Sequence, residues 1–105
     1  MKFEELEELA SEYAEAEASR QYLMEFRKSK KALLMAEAEQ ASPKMPIAAQ
    51  ERYAYSHQEY LELLRGLQVA IEKSVGLKHR IMVIQMKFEA WRTRQATTRA
   101  EMNLR

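Results

Sequence analysis

The side chains able to do chemistry are few in this sequence, and their spacing does not suit them to it. The two histidines, His57 and His79, stand 22 residues apart. Neither belongs to a His-Glu-x-x-His pair, which would set two zinc ligands one helical turn apart, or to the Glu-x-x-His spacing by which helical bundles hold paired iron ions. There is no cysteine, which removes thiolate metal sites, thiol nucleophiles and disulfides. Two glycines ten residues apart cannot form a phosphate-cradling loop. Glutamates are numerous, but on an exposed helical face they serve solubility, and no pocket is indicated that would pair two of them for acid–base work. The expectation is a protein that is not an enzyme, with no catalytic residue, no metal site and no cofactor.

One segment could still recognise something. Lys78, Arg80, Lys87, Arg92, Arg94 and Arg99 interleave with Phe88 and Trp91. Arginines that contact phosphates beside an aromatic that stacks on a base would make a nucleic-acid surface. The same residues admit two other readings: Trp91 falls in register with an apolar stripe, which makes it a core residue, or the segment is a surface for a protein partner. Seven methionines, among them Met24, Met35, Met45, Met82, Met86 and Met102, could form an adaptable binding face or fill gaps between helices. Tyr53, Tyr55 and Tyr60 cluster in sequence and read equally as a partner-binding tip or as local packing.

The elements that must carry these residues are helices. Glu, Ala, Leu, Arg, Lys, Gln and Met dominate the 105 residues, and such side chains lose little rotamer freedom in a helix. The sharpest break is Ala41-Ser42-Pro43-Lys44-Met45-Pro46, whose prolines remove backbone donors and push their predecessors out of the α region. A second start signal is Ser56-His57-Gln58-Glu59, which fits a capping box with Tyr55 and Tyr60 at the flanking staple positions. The expected layout is one helical domain over residues 1–105: a helix over about 2–40, a loop over 41–46, a short helix over about 47–55 and a long helix over about 57–103.

Along the last helix, Tyr60, Leu63, Leu67, Ala70, Ser74, Leu77, Ile81, Ile84, Phe88, Trp91, Gln95, Thr98 and Met102 alternate three and four apart without a slip, and none is charged. A strict alternation of this kind stays on one face only if helices supercoil left-handedly around each other. At 1.5 Å per residue the stripe is ~63 Å long and needs a partner of similar length. The first helix offers Phe3, Leu6, Ala10, Ala14, Ala18, Tyr22, Phe26, Leu33 and Ala36, a thinner face with one gap of seven. Gly66 and Gly76 lie within the long helix, either as tolerated glycines on a solvated face or as a mild bend; alternatively one of them, Gly76 before Gly66, breaks the helix or admits a crossing helix.

Charge sets a direction. Residues 1–19 hold Glu4, Glu5, Glu7, Glu8, Glu12, Glu15 and Glu17 against Lys2; residues 78–105 hold Lys78, Arg80, Lys87, Arg92, Arg94, Arg99 and Arg105 against Glu89 and Glu101. An antiparallel hairpin lays the acidic start beside the basic end. Exposed pairs contribute only about 0 to 1 kcal/mol each, so the pattern selects orientation more than it adds stability. The fold expected is all-α: an antiparallel helical hairpin or coiled coil with a long C-terminal helix, assembling as a homo-oligomer through Tyr60, Leu63, Leu67, Leu77, Ile81, Ile84, Phe88, Trp91 and Met102. Glu4, Glu5, Glu7 and Glu8 are the candidate surface for an outside partner. The net charge of +1 favours neither nucleic acid nor membrane, no apolar run is long enough to span a bilayer, and the acidic opening lacks a signal-peptide layout. The expected location is a cytoplasm, with no membrane association.

Three stretches, His57-Gln58-Glu59-Tyr60-Leu61-Glu62-Leu63-Leu64, Phe88-Glu89-Ala90-Trp91-Arg92-Thr93 and Ala96-Thr97-Thr98-Arg99-Ala100-Glu101-Met102, resemble small uncharacterised helical proteins of tailed bacteriophages, encoded among early genes near recombination and single-strand-binding functions. The resemblance covers roughly residues 53–104. It departs at Gln58, where a proline often stands in those proteins. It implies a phage setting and one of two roles, an accessory factor in DNA recombination or an inhibitor of a host nuclease or defence complex. It carries no activity to particular residues. A nucleic-acid-binding protein and a structural or scaffold protein are the alternatives.

Overall fold

The structure, a computed structural model, describes residues 3–104; Met1, Lys2 and Arg105 lie outside the described residues, and with them the expected helix start at Lys2 and the charges of Lys2 and Arg105. The described residues form three helices and no strand: α1 (Phe3–Ala41), α2 (Ile47–Ser56) and α3 (Gln58–Asn103). The molecule measures 87 × 23 × 15 Å with a radius of gyration of 24.1 Å. A compact chain of this length would have a radius near 13 Å, so this is a rod.

Helix α1 opens on Glu4 and Glu5, whose charges suit the positive end of the helix dipole. It closes where the Ser42 amide donates to the Ala38 carbonyl, and Pro43 prevents continuation. A tight turn follows, held by the Met45 amide on the Ser42 carbonyl at 2.9 Å. Pro46, extended at φ −61° and ψ 152°, starts α2 by offering its carbonyl to the amides of Ala49 and Gln50. The buried Gln50 amide ties the turn to the helix by donating to the Met45 carbonyl at 3.1 Å.

Residue His57 bends the chain between α2 and α3 with φ −67° and ψ 138°. The cap here differs from the expected capping box. His57 Nδ1 accepts from the Glu59 amide at 3.1 Å, while the Ser56 hydroxyl turns back and donates to the Arg52 carbonyl at 2.6 Å. Ser56 still belongs to α2, so its side chain bonds to its own helix and the next residue takes over the start of α3. The staple tyrosines do meet, Tyr55 and Tyr60 packing edge to face at 5.4 Å. At 1.5 Å per residue, α2 and α3 placed end to end would span ~84 Å, close to the length of the rod, so the two form a single bent return arm beside α1.

Antiparallel packing is read directly from the contacts. At one end Leu34, Ala54 and Tyr60 form a buried cluster with Met35 and Leu64 against it. Further along, Leu9, Ala16 and Leu77 form a second, joined by Tyr13, Ile81 and Ile84. Gly66 and Gly76 face open space within an unbroken α3, so neither breaks the helix nor admits a crossing one.

Helix α1 presents a different face from the one its apolar residues suggested. Leu6, Leu9, Tyr13, Ala16, Arg20, Leu23, Arg27, Lys30, Leu34 and Ala38 form an inward stripe, again three and four apart, with Glu17, Lys31 and Met35 half-buried beside it. Of the expected set only Leu6 is among them; Phe3, Tyr22 and Leu33 are 73%, 65% and 62% exposed. Three basic residues stand in this stripe because their aliphatic stems cover apolar surface while the charged heads reach water. Ala10, Ala14 and Ala18 bury too little area to compete with Leu9, Tyr13 and Leu34 for the inward position.

Candidate interaction surfaces

The functional surfaces of such a rod are what its helices leave uncovered, and α3 divides into two parts on that measure. Tyr60, Leu67, Ser74 and Leu77 are buried, and Leu63, Ala70, Ile81, Ile84 and Phe88 are half-buried. Every described residue after Phe88 is exposed: Trp91 is 50% exposed, Met102 67% and Leu104 89%. The reason is length. Leu6, in the second turn of α1, already lines a hollow with Ile84, Gln85 and Phe88, so α1 as described has little helix left to lie beyond that point. Glu89–Asn103 therefore project as a single helix of ~22 Å. Phe88 and Trp91 stack at 6.0 Å across this boundary.

Midway along the covered part sits a polar node. Arg20 lays its guanidinium against both carboxylate oxygens of Glu17, with Nε–Oε2 at 3.0 Å, and the buried Ser74 hydroxyl donates to Glu17 Oε2 at 2.6 Å. The forked hydrogen bonds from Arg20, followed by that from Ser74, pull the Glu17 carboxyl down to about 2. Spacing alone places Ser74 in the seam; its bond to α1 makes it a register mark between the helices, since sliding either helix would leave its hydroxyl without this partner.

The hinge end is where charges cross between helices. Lys30 reaches Glu59 at 2.7 Å and Lys31 reaches Glu51 at 3.8 Å while lying 4.8 Å over the Tyr55 ring. Lys30, by hydrogen bond first and charge second, holds the Glu59 carboxyl below the usual range. Tyr53, Tyr55 and Tyr60 are all engaged here, Tyr53 edge-on to His57 at 5.6 Å.

The acidic and basic ends behave otherwise. Among the described residues no ion pair within 4.0 Å joins Glu4, Glu5, Glu7, Glu8 or Glu12 to a basic residue of α3; Arg92 pairs with Glu89 in its own helix at 3.3 Å. Glu4, Glu5, Glu7 and Glu8 are exposed, as are Lys78, Arg80, Lys87, Arg92, Arg94 and Arg99. The basic set does not form one face. Arg80, Lys87 and Arg94, seven apart, follow one flank of the seam, and Lys78, Arg92 and Arg99 follow the other.

A further apolar surface faces outward on α1. Tyr22 and Phe26 stack at 5.8 Å on the outer side of α1, with the exposed Leu33 further along it. Spacing places its residues on the hairpin face, and only the inward turn of Arg20, Arg27 and Lys30 reveals them as outward. No group of three or more His, Asp or Glu suited to a metal ion occurs among the described residues, and no described helix is long and apolar enough to cross a membrane. No known protein family matches the chain, and neither a curated protein nor a solved structure does so.

Proposed function

We propose that the chain is a phage-encoded binding protein without chemistry of its own, acting in the host cytoplasm as a homo-oligomer on a protein of DNA metabolism, either as a recombination accessory factor or as an inhibitor of a host nuclease or defence complex. The phage setting rests on the resemblance of residues 53–104. The observation that best supports binding is the pair of uncovered surfaces at one end of the rod: the acidic turns with Glu4, Glu5, Glu7 and Glu8, which no ion pair among the described residues neutralises, and the bare helix bearing Trp91 and Met102. Acidic rows on a rigid helix suit a nuclease channel that normally receives a polyanion. The test is binding to, and inhibition of, purified host recombination nucleases by the wild type and by a variant with those four glutamates changed to lysine. Retained helicity with lost binding supports the reading; a wild type that binds none of these enzymes and changes none of their rates sinks it.

A second reading, direct nucleic-acid binding, is favoured by the freedom of the basic rows on α3 from the N-terminal glutamates. It expects affinity for DNA that falls steeply with salt and weakens when Arg80, Lys87 and Arg94 become alanine. A spacer or scaffold role draws on the 87 Å length alone.

A further inference from the structure

The bare end of α3 reads the same in both directions. Its seam residues Trp91, Gln95, Thr98 and Met102 are separated by four, three and four positions, so the stripe superimposes on its own reverse. We infer that two copies of the chain join antiparallel through residues 89–104, Trp91 of each against the partner's Met102 and Gln95 against the partner's Thr98. This deepens the self-association in the proposed function and rests on that part of it.

Three observations carry the assignment. The first is continuity: the uncharged alternation that α1 covers from Tyr60 to Phe88 runs on unchanged to Met102, where nothing among the described residues covers it. A helix face that keeps apolar residues in step with a partner seam, and leaves a tryptophan half exposed, has the pattern of an interface. The second is the match between like ends. The reversed register brings the partner's Leu104, 89% exposed in the single chain, to the level of Phe88 and Glu89, where the hollow lined by Leu6, Ile84, Gln85, Phe88 and Glu89 stands open. The partner's helix would thus continue the seam where α1 stops.

The third is charge. Arg94 and Glu101, seven apart, lie on one flank of the stripe, and antiparallel pairing sets that flank against the same flank of the partner. Arg94 then lies beside the partner's Glu101, twice by symmetry. On the other flank Arg92 meets the partner's Arg99, also twice by symmetry, a like-charged contact that the Arg92–Glu89 pair within each copy partly offsets. A parallel pairing would instead oppose Arg94 to the partner's Arg99 and Lys87 to the partner's Arg92, with no attractive contact to set against them. Gln95 and Thr98, each able to donate and accept, would hydrogen-bond at the centre and fix the register.

Two helical stretches of ~22 Å bury less than the ~1,200 Å² of a standard interface, so the dimer is expected to be weak, with a dissociation constant on the order of micromolar. Trp91 is the sole tryptophan, which makes its emission a reporter of the joint. The experiment is sedimentation equilibrium of the full chain without DNA, with Trp91 emission followed over the same dilution range. A monomer–dimer equilibrium is expected, with emission shifting to the red as dimer dissociates. Arg94→Glu should weaken it about tenfold or more, Arg94→Glu with Glu101→Arg should return it to within about threefold of wild type, and Arg99→Glu should tighten it several-fold. A chain that stays monomeric at every concentration overturns this inference and the self-association it rests on. A dimer whose Trp91 emission does not change on dilution and whose affinity ignores Arg94→Glu overturns the tail-to-tail joint alone.

Discussion

The two stretches of α3 on either side of Phe88 share one pattern and meet different fates. From Tyr60 to Phe88 the stripe faces α1 and its residues are buried or half-buried; from Trp91 to Met102 the same alternation faces water. The periodicity is a property of the helix backbone and continues regardless of what lies opposite. Burial is not, since it requires a second helix at the same height. The contrast teaches that an uncharged alternation marks a face capable of pairing, and that the length of the available partner decides where the pairing stops.

Substitution should break the comparison most visibly at the covered end. Leu34 is 2% exposed at the hinge cluster, and Leu34→Ala should cost about 2 to 5 kcal/mol in urea unfolding, through lost transfer energy and the cavity left behind. The polar node gives a pH-dependent effect. Glu17 has a folded value near 2, below that of an unfolded glutamate, so its contribution is fully present above about pH 4.5 and is lost as pH falls through about 2. Glu17→Gln should therefore be less stable than wild type at neutral pH and should lose less stability between pH 5 and 2. Equal acid slopes for the two proteins would show that the node contributes no such linkage.

Smaller effects should sharpen the contrast. Because a Cβ at Gly66 or Gly76 meets nothing within 4 Å, Gly66→Ala and Gly76→Ala should each stabilise the helix by about 0.5 to 1 kcal/mol, seen as a raised melting temperature. Smallest of all should be Trp91→Ala. At concentrations where the chain is monomeric it should change unfolding stability by no more than about 0.5 kcal/mol, the range of an ordinary surface position. A loss comparable to that of Leu34→Ala would mean that the bare end is folded against something in the single chain.

Much of this was legible in the residues, and what was not has identifiable causes. Prolines 43 and 46 announced the turn because the missing donors act locally, and the stripe on α3 was visible because no charge interrupts it. The inward face of α1 was not. Its alternation passes through Arg20, Arg27 and Lys30, whose charges interrupt the apolar pattern, and the exposed Tyr22, Phe26 and Leu33 offered a competing face. The cap of α3 moved by one residue because Ser56 had a carbonyl of its own helix within reach. Of the candidate surfaces, the acidic turns of α1 and the basic rows of α3 stood out by composition, whereas the lack of an ion pair between them among the described residues did not.

By itself, then, the sequence determined the all-helical class, the place of the turn and the pairing face of α3, since each follows from backbone chemistry or from side-chain periodicity along one element. Only the tertiary structure decided which side of α1 turns inward, that Ser74 bonds to Glu17 across the helices, and that cover ends at Phe88. Those outcomes depend on how two elements distant in sequence align, and that alignment is set by the sum of burial, hydrogen bonding and helix length over the whole contact, which no local pattern contains.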